Sequence, residues 1–135
     1  MVRAAAFLWI SAAMLPAVAA LSATVGARQA AALQADPEAG ADTFDRYCSD
    51  CHSVSPKRTN RKGPTLSGIF GRRAGTVNGF DYSARMRGSG IVWNPSTLNA
   101  YVANPQTVVP GGKMKKGLPN AVDRVNLIAF LARPE

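Results

Sequence analysis

Cys48-Ser49-Asp50-Cys51-His52 is the stretch on which the reading of this 135-residue chain turns. Two thiols three positions apart, followed at once by an imidazole, form the pattern of c-type haem attachment. The spacing has a physical basis. Near one helix end, each thiol can form a thioether to one of the two vinyl groups on a haem edge. His52 then lies beneath the iron and can bind it through a ring nitrogen. Covalent attachment makes the group a permanent part of the hydrophobic core. Competing uses of the pattern fit less well. A thioredoxin-like redox pair needs a βαβ context, which the sequence lacks. A zinc site needs a fourth ligand at suitable spacing, and His52 is the only histidine.

The other side of the iron must be served by what remains. Beyond Met1 and Met14, only Met86 and Met114 carry thioethers. A methionine sulfur is a soft ligand that favours ferrous iron and raises the reduction potential, as suits an electron carrier. Met114 ends the loop Pro110-Gly111-Gly112-Lys113-Met114, which could bring sulfur to the face opposite His52. Met86 sits among arginines and glycines and is expected to fill core space.

Outward from the motif, the N-terminus has the layout of a secretory signal. Arg3 precedes an uncharged apolar run from Ala4 to Val25, and Ala17-Val18-Ala19 and Val25-Gly26-Ala27 are candidate cleavage sequences. The run is also long enough for an uncleaved membrane anchor. Residues 1–27 are therefore read as signal peptide or anchor, 28–35 as linker and 36–135 as the domain, exported to the periplasm. The whole chain is 47% hydrophobic and 18% charged, which excludes wholesale disorder and a coiled coil. Two cysteines exclude a scaffold of several disulfides. A folded part of about 100 residues has a thin core of its own, so a bound group that adds to it is expected. The formal charge of +8 implies an acidic partner. Nucleic acid would suit the charge, but export argues against it.

Along the domain, Asp36-Pro37 and Asn94-Pro95 are cap-plus-proline helix starts, and Asn120 opens the last helix. The first helix is expected to end near Cys51, with Phe44, Tyr47 and Cys48 on one face. Thr65 to Phe70 could form one helical turn, and the glycine-rich stretch from Gly71 to Val92 reads as a long loop. A helix from Thr97 to Asn104 is expected to stop at Pro105, with loop from Val108 to Pro119. The last helix carries Val122, Val125, Leu127, Ile128 and Leu131 as its apolar face and runs to Ala132. No strand pattern is present. The expected fold is all-α: three to four helices and long loops wrapped round one covalent haem.

Further segments extend the pattern: Lys62-Gly63-Pro64-Thr65-Leu66-Ser67-Gly68-Ile69-Phe70-Gly71-Arg72, Gly79-Phe80-Asp81-Tyr82-Ser83, Gly90-Ile91-Val92-Trp93, Asn104-Pro105 and Val109-Pro110-Gly111-Gly112-Lys113-Met114. In order and spacing they resemble the class I cytochromes c, of the soluble bacterial type close to the mitochondrial protein. The resemblance spans about Gly40 to Leu131. It implies His52 and Met114 as axial ligands and Cys48 and Cys51 as thioether anchors. It implies that the Pro64 carbonyl accepts from the His52 ring, that Tyr82 and Trp93 hydrogen-bond a buried haem propionate with Arg72 offsetting its charge, and that Tyr101 sits beside the Met114 sulfur. Gly40, Phe44, Leu127 and Phe130 would form a close crossing of the first and last helices.

Three positions depart from the family pattern. Gly112 stands where Thr is common, and Met86 where Asn is common. The chain after Met114 (Lys115-Lys116-Gly117-Leu118) is one residue short and lacks a Phe that packs on the haem edge. A more open haem edge and a more mobile Met114 loop are expected from these changes. The resulting expectation is a monomeric, non-enzymatic one-electron carrier. It would dock on acidic surfaces of membrane or periplasmic redox proteins through Lys113, Lys115 and Lys116, and through the basic run Lys57, Arg58, Arg61 and Lys62. The rival reading is a haem peroxidase or gas-binding sensor in which Met114 is a labile ligand.

Overall fold

Each long helix begins where a short polar side chain can take the N–H groups of the first turn, which have no partner within the helix. A computed structural model describes residues 34–55, 57 and 59–133. The expected signal or anchor, most of the linker, and Arg58 lie outside the described residues. Asp36 Oδ1 accepts from the amides of Glu38 (2.9 Å) and Ala39 (3.2 Å), and α1 runs from Pro37 to Tyr47. Then come α2 (Ala84–Arg87), α3 (Pro95–Ala103), α4 (Pro105–Val108) and α5 (Ala121–Leu131). None of these helices is long and apolar enough to cross a membrane. Among the described residues the only β pairing is an isolated antiparallel bridge between Arg73 and Val92. The all-α expectation holds.

The first and last helices pack on each other most extensively, because Gly40 lets them nearly touch. A Cβ on Gly40 would lie 2.0 Å from the carbonyl oxygen of Asn126 and 2.8 Å from Phe130 Cβ. Asn126 Oδ1 accepts from the Asp36 amide at 2.9 Å, Arg133 pairs with Glu38 at 2.6 Å, and the Phe44 and Phe130 rings lie 5.7 Å apart. Helix α3 leans on α5, and Phe44, Leu98, Val102 and Leu127 meet in the core.

The structure corrects several local expectations. Helix α1 ends at Tyr47 rather than near Cys51; Cys48 is its C-cap, and the chain turns so that the amides of Cys51 and His52 both donate to the Cys48 carbonyl. Tyr47 is exposed rather than sharing the buried face of Phe44, and Arg46 lies over its ring. Thr65 to Phe70 forms turns, not a helix. The supposed loop from Gly71 to Val92 contains α2, capped by Ser83. Gly75, at φ +79°, passes 2.8 Å (as a built Cβ) from Arg87 Cα, an approach and a conformation that only glycine permits. Pro105 ends α3 but also starts α4: Asn104 is C-cap of one and N-cap of the other. Val122, 59% exposed, and Val125 lie on the far side of α5 from Leu127, which is 2% exposed. The buried face there includes Asn126, whose bond to Asp36 offsets the cost of burying its amide.

The long loops are held by their own backbone. The Ser53 carbonyl accepts from the Leu66 amide and from the Thr65 hydroxyl, while the Ser53 hydroxyl donates to the Thr59 carbonyl. Beside the Arg73–Val92 bridge, Trp93 donates to Arg72 O (2.9 Å) and Gly71 to Trp93 O (2.8 Å). That stitching fixes the backbone on either side of Arg72 and Trp93.

Candidate functional site

His52 leaves the turn after α1 with its ring against the backbone of Gly63. A Cβ at residue 63 would sit 2.3 Å from the imidazole Cε1, so glycine is required for the ring to lie there. The next carbonyl, of Pro64, lies 2.8 Å from His52 Nδ1. A carbonyl can only accept, so Nδ1 carries the proton and the lone pair is left on Nε2. Burial pushes the His52 pKa down, with the Pro64 carbonyl opposing it. The ring is thereby held as a neutral, oriented imidazole, the form that binds a metal.

An open-mouthed cavity of about 110 Å³ lies in front of this ring. Cys48, His52, Pro64, Arg72, Tyr82, Trp93, Tyr101 and Met114 all line it, so the turn after α1, the stitched loops, α3 and the Met114 loop contribute to one site. Cys51 is exposed and is not part of that wall. Burial, with Cys51 adding to it, pushes the Cys48 thiol up to about 11. It therefore faces the cavity as a neutral thiol. Leu98, Leu127 and Leu131 make much of the remaining wall apolar. Met86 is buried and also lines the cavity, as a core filler would.

The polar side of the cavity is equally built. Arg72 is no freely solvated charge: its guanidinium donates to the carbonyls of Thr65 (2.8 Å) and Ser67 (2.9 Å) while lining the cavity. Trp93 and Tyr101 rings lie 5.2 Å apart. Burial pushes the Tyr101 phenol up to about 12, with Tyr82 adding to it. Burial also raises Tyr82, against the opposing pull of a Val77 backbone bond and of Arg72. Both phenols are thus neutral donors at ordinary pH.

Reasoning from the sequence missed four residues in the loops around this site. Gly63 was read only as part of the segment from Lys62 to Arg72. Asn60 ties the loop together, accepting from the Thr65 amide and donating to the Asn78 carbonyl. Asp81 accepts from Lys113 Nζ at 2.6 Å, and its own carbonyl accepts from the same ammonium at 2.5 Å. Lys113, with Arg87 farther off, holds the Asp81 carboxyl below the usual range. Gln106, on α4, bonds to the backbone on both sides of Lys113.

A neutral thiol, an imidazole with its lone pair on Nε2 and a thioether all face one largely apolar cavity. That donor set fits a haem bound through sulfur and nitrogen. No protein-family model matches the chain. It is, however, 42% identical over 99 residues to cytochrome c2 of Rhodoblastus acidophilus, covering 73% of this chain and 92% of that one. Cytochrome c2 of Rhodomicrobium vannielii is 44% identical over 98 residues, covering 72% and 78%. Cytochrome c of the plant Stellaria longipes is 41% identical over 99 residues, covering 73% and 92%. These comparisons lend no support to the peroxidase or sensor reading. Similarity of this extent means that the chain belongs to the class I cytochromes c, electron carriers rather than enzymes, each with one covalently attached c-type haem.

Proposed function

We propose that His52 and Met114 would ligate the haem iron, and that Cys48 and Cys51 would be its thioether anchors. The observation that carries this is the 2.8 Å bond from His52 Nδ1 to Pro64 O, which leaves Nε2 as the only ring nitrogen able to ligate in a cavity that His52 and Met114 both line. When bound, the haem supplies reversible one-electron chemistry between Fe(II) and Fe(III). The chain's own residues prepare for it. The Pro64 carbonyl raises the donor strength of His52 and fixes its orientation. The apolar wall excludes water, and the Met114 thioether favours the ferrous state. Arg72, Tyr82 and Trp93 stand ready to receive a carboxylate of the bound group, with Arg72 offsetting the cost of burying that charge.

The protein works in the periplasm as a monomer, and its partners are acidic surfaces of membrane or periplasmic redox proteins. Lys115 and Lys116 beside the Met114 loop, with Lys57 and Lys62 after the haem motif, are exposed and supply the steering charge. Lys113 contributes less, because Asp81 already neutralises it. The test of the site is the visible spectrum of the dithionite-reduced protein before and after CO. A c-type spectrum that CO leaves unmoved is expected; a Soret shift means that Met114 does not hold the sixth position.

A further inference from the structure

Gly112 and Gly111 offer no side chain to anchor the loop that presents Met114, and the hold on that loop comes from α4. Gln106 is half-buried there, and its amide reaches four points. Nε2 donates to the carbonyls of Gly112 (3.1 Å) and Met114 (2.6 Å); Oε1 accepts from the Gly111 amide (3.3 Å) and from Lys115 Nζ (3.1 Å). These contacts bracket Met114 on both sides. The base of the clamp is firm: Pro105 is fully buried, and Asn104 Oδ1 accepts from the amides of Gln106 and Thr107 at 3.2 Å each. The Gly112 amide also donates to the Val109 carbonyl at 3.0 Å, and a further tie, Lys113 to Asp81, is an exposed pair, which contributes little.

We infer that Gln106 is a positioning residue, a clamp that keeps the Met114 loop closed over the cavity and sets how readily the sixth iron position opens. This rests on Met114 being the sixth ligand. Opening the loop must break both carbonyl bonds from Nε2, since both accepting carbonyls belong to the loop. An external ligand binds only the opened form, so its apparent affinity scales with the opened fraction. Losing the clamp's hydrogen bonds should raise that fraction about ten-fold.

The test is imidazole titration of the ferric holoprotein, with the far-red sulfur-to-iron charge-transfer band followed in parallel. Gln106→Leu removes all four bonds at similar size. Gln106→Glu keeps the acceptor but turns a second oxygen toward the Gly112 and Met114 carbonyls. Both variants should bind imidazole about ten-fold more tightly than the parent. Asp81→Asn, which breaks only the exposed pair, should stay within roughly three-fold of the parent. Denaturant unfolding of each variant separates loop opening from general loss of stability. Unchanged imidazole affinity in both Gln106 variants, or a larger change in Asp81→Asn than in Gln106→Leu, overturns the clamp while leaving Met114 as ligand. A parent protein without the far-red band overturns the Met114 assignment and the clamp with it.

Discussion

Single atoms decide the geometry at His52. An alanine at residue 63 would put a methyl 2.3 Å from the imidazole Cε1, and the ring would have to leave the Pro64 carbonyl. Gly63→Ala is therefore expected to cost about 1–3 kcal/mol, the range for overpacking, and to make the reduced spectrum respond to CO. Gly71→Ala is the matched control. Its φ of +78° strains an alanine by about 1–2 kcal/mol, but nothing lies within 4 Å of the added carbon, so the spectrum should not change. Denaturant midpoints and the two spectra separate these outcomes. Protonation is also a residue-scale matter. Tyr101 holds its phenolic proton up to about 12, whereas an unfolded tyrosine loses it near 10. Between those values the unfolded chain binds fewer protons, so stability falls as pH rises through the window and is unaffected by this group below it. Unfolding midpoints followed from neutral pH upward, together with a Tyr101→Phe variant that flattens this alkaline loss, check the sign.

At the scale of elements, caps were the most readable feature and packing faces the least. Asp36, Asn94 and Asn120 announce helix starts because a short polar side chain, followed in two of the three by proline, has one common structural use. All three accept from the first-turn amides. Helix α2 escaped notice because four residues between glycines carry no period. The Gln106 clamp escaped because its partners are backbone groups five to eight residues on and the Lys115 side chain nine residues on, and a glutamine five residues before Gly-Gly has no distinctive pattern. The apolar face of α5 was misread because Asn126 is buried by a bond from a residue 90 positions away. The cap of α3 yields a test that isolates one element. Asn94 and Thr97 accept from each other's amides at 2.9 Å, and the helix they start carries Leu98 and Tyr101 into the cavity wall. Asn94→Ala should cost about 1 kcal/mol in denaturant unfolding. The CO-insensitive spectrum should survive, since the cap positions the helix and touches nothing in the cavity.

For the whole molecule, the question is how so few helices make a stable domain. Phe44, Leu98, Val102 and Leu127 belong to the core, yet Leu98, Val102 and Leu127 also line the cavity. The hydrophobic core and the binding site are thus one space that the side chains alone do not fill. This is why the motif, read with the helix caps and the lack of a strand pattern, was enough to expect the fold class: long loops and a thin core make sense only around a large apolar group, and Cys48-Ser49-Asp50-Cys51-His52 matches the pattern by which such a group is attached. What the motif could not convey is how the loops close, which depends on backbone bonds such as Trp93 to Arg72 and on the approach of Gly63 to His52. The energetics lead to a last prediction. Domains of this size are stable by only about 5–15 kcal/mol, and exposing the buried face of several core residues, at about 1.5–3 kcal/mol for each large side chain, consumes that margin. The paired substitutions Cys48→Ser and Cys51→Ser, which remove both proposed attachment points, should leave haem-free protein with most of its helical circular dichroism lost and no cooperative unfolding transition. Helix α1 and α5 contain the close Gly40 crossing and should be the last to lose amide protection. A haem-free chain that keeps its helicity and melts cooperatively would mean that the helix crossing alone holds the fold, and that the cavity is a preformed pocket rather than a missing piece of the core.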